Sequence, residues 1–385
     1  MTSVELLAAA LWWGPFLLLL RLADRRPRIA DFPSRTGIPL SVVIPARNEE
    51  ATIRTVLDSV LASDYRPLEV VVVDDCSTDD TAAIVREYAA RDERVRLVTG
   101  EEPPPGWFGK AWACHQGYLA STGELLVFTD ADTRHRPLLL GHAVGALLTR
   151  PANMITVAPH QLCLTFWERV IMPQVWVILA FQFHPRVVNR ARSLRTVIAN
   201  GQFILLSRDD YEAIGTHEAV RDAVAEDLAL AQAMVAGGRT VFFAFATELM
   251  ETRMYRNLRQ LVEGWSKNLY LGGRQALRHH PVLQRLLPTF FALVGAFWLA
   301  PPVVLILSHW RALPAGWAAP GGLATAGSVL FWSLVSWGMA IPVWYGLFYP
   351  VGVVGLMFVA ARSITRGSSR VEWRGRTYRT ERSDS

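Results

Sequence analysis

Short, largely apolar runs, interrupted only by single polar residues such as Ser41, Glu69 and Arg96, recur along the first half of the chain, separated by stretches with apolar residues at helical spacing. Pro39–Pro45, Leu68–Val73, Val95–Val98 and Leu125–Thr129 are runs of strand length. Their lack of polar alternation fits strands covered on both faces. Between them, Ile53, Val56, Leu57, Val60 and Leu61 mark one helical face, and Ala82, Ile84, Val85 and Tyr88 mark a second. Strands alternating with helices predict an α/β domain with a mostly parallel sheet and right-handed crossovers. Asn153–Ala158 reads as a fifth strand. Val197–Ser207 reads as another, with Gly201 where backbone approaches a ligand closely. A helix opens at Ala225 and stops at Gly237-Gly238.

The pattern changes at the two ends. Val4–Leu20 is apolar except for Glu5 and predicts a membrane anchor at the short limit for a span. A signal peptide is the rival, but the basic residues follow the apolar run and no cleavage site is evident. Leu287–Leu307, Leu323–Ile341 and Val343–Ala361 have roughly spanning length, with Pro301-Pro302 expected to interrupt the first. Phe166–Phe183 contains Pro173 and predicts an amphipathic segment on the bilayer surface, in preference to a buried core helix. The expected division is an anchor and basic flank over 1–30, a catalytic domain over 31–280, membrane helices over 281–362 and a basic tail over 363–385.

Composition agrees with that division. Hydrophobic residues make up 51% and charged residues only 19%, an excess localised at the ends. The net charge of +5 comes largely from arginines beside those segments, which suits an anionic membrane surface and not nucleic acid. Cys76, Cys114 and Cys163 are too few and too scattered for a disulfide framework or a zinc site, and fit a reducing compartment. Arg21, Arg25, Arg26 and Arg28 place the end of the first apolar run on the cytoplasmic side. Arg362, Arg366, Arg370, Arg374, Arg376, Arg379 and Arg382 place the tail there too. An anchor plus three spans would put that tail outside. The charge rule therefore implies that one stretch is re-entrant or interfacial.

Candidate chemistry gathers at the strand ends. Leu125–Thr129 runs directly into Asp130-Ala131-Asp132. The carboxyl ends of strands in open α/β sheets bind ligands, and two carboxylates there suit a divalent cation held against a diphosphate. Asp74 reads as a turn cap, and Asn48 stands evenly between a helix cap and a ligand contact. The chain has no G-x-G-x-x-G and no Walker lysine loop, so it is not an ordinary dinucleotide or P-loop domain. Pro103-Pro104-Pro105-Gly106-Trp107-Phe108-Gly109-Lys110 brings a lysine to a helix start, where it can meet a diphosphate. Glu226-Asp227 at a helix start reads, from spacing alone, as an electrostatic cap.

Three segments together resemble the motif series of family 2 GT-A glycosyltransferases. They are Val43-Ile44-Pro45-Ala46-Arg47-Asn48-Glu49, Val73-Asp74-Asp75 with Ser77 and Asp79, and Thr129-Asp130-Ala131-Asp132. The stretch from Gly106 to Cys114 is similar to the membrane subgroup that glycosylates carotenoids or accompanies hopanoid synthesis. The resemblance implies that Pro45, Ala46 and Glu49 contact the nucleotide. It implies that Asp75 accepts the base imide hydrogen, that Asp130 reaches the ribose or phosphate side, and that Asp132 ligates Mg2+ or Mn2+. Lys110 becomes a nucleotide-sugar contact and Asp227 the catalytic base. Arg256, Arg259 and Trp265 stand for a diphosphate clamp, although the usual Gln/Arg-x-x-Arg-Trp element is not intact. A single base opposite the leaving diphosphate implies inversion, with Asp227 ionised at neutral pH. The implied protein is a multi-pass inner-membrane enzyme with a cytoplasmic catalytic domain. It transfers sugar from a nucleotide sugar, taken as a UDP-sugar, to a lipid: carotenoid, hopanoid, polyprenyl phosphate or glycerolipid. A processive polysaccharide synthase and a silent GT-A-like scaffold are the alternatives.

Overall fold

The computed structural model describes residues 3–22, 26–182, 185–189, 194, 196–277, 280–366, 371–373 and 376–378. Strands are β1 (Leu40–Ala46), β2 (Leu68–Asp74), β3 (Val95–Thr99), β4 (Leu125–Thr129), β5 (Thr133–His135), β6 (Met154–Ala158), β7 (His160–Gln161), β8 (Phe203–Ser207), β9 (Val241–Phe245) and β10 (Met250–Thr252). Helices of the sheet region are α1 (Ser3–Leu22), α2 (Ile53–Leu61), α3 (Thr81–Ala89), α4 (Gly109–Ala120), α5 (Leu139–Thr149), α6 (Phe166–Gln182), α7 (Pro185–Val188), α8 (Arg208–Ala213) and α9 (Glu226–Ala236). Four long helices follow: α10 (Leu258–Ala276), α11 (Pro281–His309), α12 (Ala318–Gly338) and α13 (Tyr349–Arg366).

Seven strands form one sheet in the order β3-β2-β1-β4-β8-β6-β9. β1, β2, β3 and β4 run parallel, as do β6 and β9, while β8 runs antiparallel to both its neighbours. The strand period of two splits the core between the faces. Val42 and Ile44 pack with Ile53, Val56, Leu57 and Val144 on one side. Val43 packs with Leu126, Ile204, Leu230 and Met234 on the other. Apolar residues on both sides explain why the strands carry no polar alternation.

Several expectations change. β8 begins at Phe203, not Val197. Residues 197–202 are held by side chains instead of a ladder: the Asn200 amide N–H donates to Thr156 Oγ1, and that of Gly201 to the Asp227 carboxylate. A small sheet, β5-β10-β7, was not legible because its strands are two or three residues long. Pro301-Pro302 does not break α11, which continues to His309. Packed neighbours can support proline within an apolar helix. Pro173 likewise sits inside α6. That helix is not a free surface segment: Val170, Ile171, Met172 and Val175 are buried in a cluster with Leu261, Trp265 and Leu356, leaving Phe166 and Trp167 exposed. The third expected span starts as a 3-10 turn, Val343–Phe348, before α13. Three stretches, Pro281–His309, Ala318–Gly338 and Val343–Thr365, are long and apolar enough to cross a membrane. Most tail arginines, and Arg25, lie outside the described residues.

Candidate functional site

The carboxyl ends of β1, β2 and β4 open onto one side of the sheet. Beyond β1, Asn48 has a left-handed backbone (φ 53°). Its Oδ1 accepts from the Thr78 amide at 2.8 Å, so it ties two loops together and does not cap α2. Arg47 donates to the carbonyls of Asp75 and Cys76. Asp74 accepts from the Ser77 amide at 3.4 Å, the turn role read from the sequence.

A cavity of about 1420 Å³ lies over these strand ends. Pro45, Glu49, Lys110, Asp130, Asp132, Asp227, Arg256, Arg259 and Trp265 line it. Asp132 and Asp227, from different segments, thus face one space. Ala46 and Asp75 stand outside that lining and are fully buried behind it. Direct base recognition by Asp75 therefore lacks an exposed carboxylate. Trp265 is only 7% exposed, and its indole N–H points to the Met172 sulfur at 3.3 Å. Arg259 is at the rim, 87% exposed and paired with Glu263. The Arg256 guanidinium reaches the Ala51 carbonyl at 3.4 Å.

The centre of the site is an ion network. Lys110 Nζ lies 2.7 Å from Asp130 Oδ1 and 2.8 Å from Glu226 Oε1. Burial disfavours the ammonium, but the two carboxylates outweigh that effect and raise its pKa. Burial likewise opposes ionisation of Glu226, and Lys110 outweighs it, holding that carboxyl below its ordinary range. Asp227 has no such direct partner among the ion pairs. Its Oδ2 accepts from the Gly201 amide at 2.8 Å and its Oδ1 from the Leu228 amide at 2.7 Å. Burial and the neighbouring Glu226 charge push it up to about 6. It remains mostly ionised at neutral pH while being more basic than an ordinary aspartate.

This packing leaves little room at Gly201. A Cβ there would sit 2.9 Å from Lys110 Nζ and 3.2 Å from Asp227 Oδ2. The close approach anticipated for this glycine is therefore to protein side chains. Sequence reasoning missed Glu226 as the partner of Lys110. It also missed His217, which is 2% exposed and hydrogen-bonded through Nδ1 to the Tyr211 hydroxyl at 2.6 Å. Burial pushes His217 down to about 3, so it is neutral. The left-handed residues Gly215 and Thr216 before it were the available local signal.

The donor set fits a hard divalent cation in one specific way. No cluster of three or more His, Cys, Asp or Glu residues is assembled for a metal among the described residues. Asp132 stands in the cavity wall beside Thr252, whose hydroxyl lies 3.2 Å from its carbonyl. Magnesium-type sites commonly use one or two carboxylates and take their other ligands from substrate phosphates and water. Asp132 suits such a shared site. Asp130 is engaged by Lys110.

Residues 41–215 match the family model described as Glycosyl transferase family 2. The likeness to family 2 glycosyltransferases is carried by this segment. The chain is 30% identical over 241 residues to 4,4'-diaponeurosporenoate glycosyltransferase of Staphylococcus aureus strain MRSA252, covering 60% of this chain and 61% of that protein. The same protein from strain USA300 aligns with the same identity and coverage. The match thus spans less than two-thirds of these relatives. A mannosyltransferase from Pyrobaculum calidifontis, solved in complex with GDP-Man and Mn2+, superposes with a TM-score of 0.55 at 19% identity. That superposition covers 95% of this chain and 99% of the other, and shows that the GT-A-like fold is shared. The family match ends at residue 215, just before His217, and Asp227 lies beyond it.

Proposed function

We propose that the protein transfers a sugar, with inversion, from a nucleoside-diphosphate sugar to an apolar acceptor drawn from the bilayer. One observation carries this reading: the cavity holding Asp132 and Asp227 continues between membrane-type helices, where Leu18, Phe290, Phe331, Leu334 and Trp337 line it. A polar reaction centre and an apolar channel in one cavity suit a donor soluble in water and an acceptor soluble in lipid.

In this reading Asp227 takes the proton of an acceptor hydroxyl as that oxygen bonds to the anomeric carbon. The bond from that carbon to the diphosphate breaks on the opposite face. A base with a pKa of about 6 is well matched to neutral pH. Lys110 keeps Glu226 charged and holds Asp130 in place, and Gly201 aims the Asp227 carboxylate. Asp132 would hold a divalent cation together with the donor diphosphate, where the cation would neutralise charge on the leaving group. Glu49 and the loop around Asn48 would receive the nucleoside. The similarity to a carotenoid-acid glycosyltransferase favours a long polyene or polyprenyl chain as acceptor over a growing polysaccharide. The catalytic domain would face the cytoplasm, where nucleotide sugars are found.

The test is product analysis. The purified chain in liposomes is supplied with Mg2+ or Mn2+, a panel of nucleotide sugars and extracted bacterial lipids. A lipid gaining one hexose mass, absent with Asp227→Asn, is the expected result. High-molecular-weight product points to a synthase, and no transfer under any combination contradicts the proposal.

A further inference from the structure

We infer that α13 does not cross the bilayer but lies in its surface, on the side of the catalytic domain. Its exposed apolar stripe is then a docking surface for the acyl boundary of that leaflet. The inference rests on the membrane attachment of the chain and not on its transferase activity.

The ends of the helices fix the argument. α1 leads directly into the sheet: the Phe245 amide at the end of β9 donates to the Pro27 carbonyl at 2.8 Å. The carboxyl end of α1 is therefore on the catalytic side. α12 runs alongside α1 in the same direction. The Trp13 indole N–H donates to the Leu323 carbonyl near the start of α12. Arg26, just past α1, lies 4.0 Å from the Cβ position of Gly338 at the other end of α12. α12 thus ends on the catalytic side. α11 starts there too, because the Gln284 side-chain Nε2 donates to the Arg274 carbonyl in the last turn of α10. Leaving through α11 and returning through α12 brings the chain back to the catalytic side before α13 begins.

α13 both begins and ends there. In the 3-10 turn that leads into it, the Tyr345 hydroxyl accepts from Arg169 of α6 at 3.3 Å. At its end, Ser363 Oγ accepts from the Tyr270 amide of α10 at 3.0 Å. α10 is itself tied to the catalytic site, since Gln275 bonds both the amide and the carbonyl of Ala225, two residues before Asp227. Along its length α13 is pressed onto α6: a Cβ on Gly352 would sit 2.1 Å from the Val170 carbonyl. A helix whose two ends touch the same face of the molecule does not span.

The outward side of α13 identifies the partner. Trp344 and Leu347 of the preceding 3-10 turn, and Val351, Val354 and Phe358 of α13, are 52%, 62%, 40%, 56% and 57% exposed. Their spacing alternates three and four residues, one apolar stripe. Phe166 packs on Phe348, which continues the stripe onto the exposed Trp167 of α6. Tryptophan beside an apolar stripe suits the headgroup boundary. The crossing helices are then α1, α11 and α12. α1, at 20 residues and about 30 Å, is long enough. Three crossings return the end of α13 to the catalytic side, which resolves the conflict between the span count and the basic tail.

Nitroxide labels at Val351→Cys, Phe358→Cys and Thr365→Cys, in a Cys76→Ser background in liposomes, measure depth along about 21 Å of helix. Equal depths for the first two, within a few ångströms, are expected, with the third no deeper. A depth gradient approaching the helix length overturns the inference. A membrane-impermeant maleimide should label Thr365→Cys from the same side as Arg134→Cys, and Arg311→Cys from the other. Labelling of Thr365→Cys with Arg311→Cys overturns it as well. A reporter fused after the last residue leaves the chain unsubstituted and should fall on the side of Arg134→Cys. If sugar transfer fails while these results hold, the proposed function is wrong and the inference stands.

Discussion

Replacing Lys110 by methionine removes the one ammonium from a centre that holds Asp130, Glu226 and Asp227. Lys110 Nζ and Asp227 Oδ2 lie 2.9 Å and 3.2 Å from the same point, the Cβ position of Gly201, so they are no more than about 6 Å apart. Unit charges at about 6 Å in an effective dielectric of about 20 interact by about 3 kcal/mol. At 1.36 kcal/mol per pKa unit, that is about two units. Asp227, now at about 6, should titrate about one to two units higher in Lys110→Met. With Asp227 as the proposed base, activity needs the ionised carboxylate and should be lost as pH falls through that value. The assay is kcat/KM for sugar transfer between about pH 5 and 9, which reports the free enzyme. The acid limb should move up by one to two units (roughly, as screening trims the Coulomb figure). Lys110→Arg, which keeps the charge, should move it by less than about half a unit. An acid limb still near pH 6 in Lys110→Met would refute the electrostatic coupling on which the site depends.

Other outcomes follow from the same geometry. Asp132→Asn should lower transfer at least about 100-fold and abolish its response to added Mg2+ or Mn2+, read by cation titration. Gly201→Ala should reduce transfer about 10-fold or more without lowering the unfolding temperature by more than a few degrees, because its Cβ meets side chains and not backbone. Arg253→Met strands Glu168, which is 2% exposed and bonded by the Arg253 guanidinium at 3.0 Å and 3.1 Å. The expected cost is about 3–5 kcal/mol in denaturant unfolding at neutral pH. Burial opposes ionisation of Glu168, but Arg253 and Thr165 outweigh it and keep its pKa depressed. Its stabilising contribution is thus present above the unfolded carboxylate pKa and lost as pH falls through the folded one, so the gap between variant and parent should narrow in acid.

What could be read from the sequence was local. Largely apolar runs at Leu40–Ala46 and Leu125–Thr129 reveal covered strands, and an acidic pair after such a strand marks a ligand-binding edge. Asp130 and Asp132 stand out as candidates on those terms, whereas Asp227 opens a helix, reads from spacing as a cap and becomes a candidate base only through the resemblance. The pairing of Lys110 with Glu226 was not, because residues 116 positions apart meet only through the sheet order. Asp75 looked equivalent to Asp132, each being an acid past a strand. Burial separates them: Asp75 is fully buried, while Asp132 opens to the cavity. α6 and α13 have surface-like and membrane-like compositions, yet each gives one face to the other. Hydropathy records how apolar a helix is, not which direction it runs.

The central claim is that Asp227 acts on an acceptor while donor binding rests on other residues. It is tested most directly by single-turnover sugar transfer with Asp227→Asn in liposomes, alongside calorimetric binding of the nucleotide donor. The account predicts a rate lower by about 10²–10⁴-fold with donor affinity unchanged within about twofold. A variant transferring sugar at the parent's rate would contradict it.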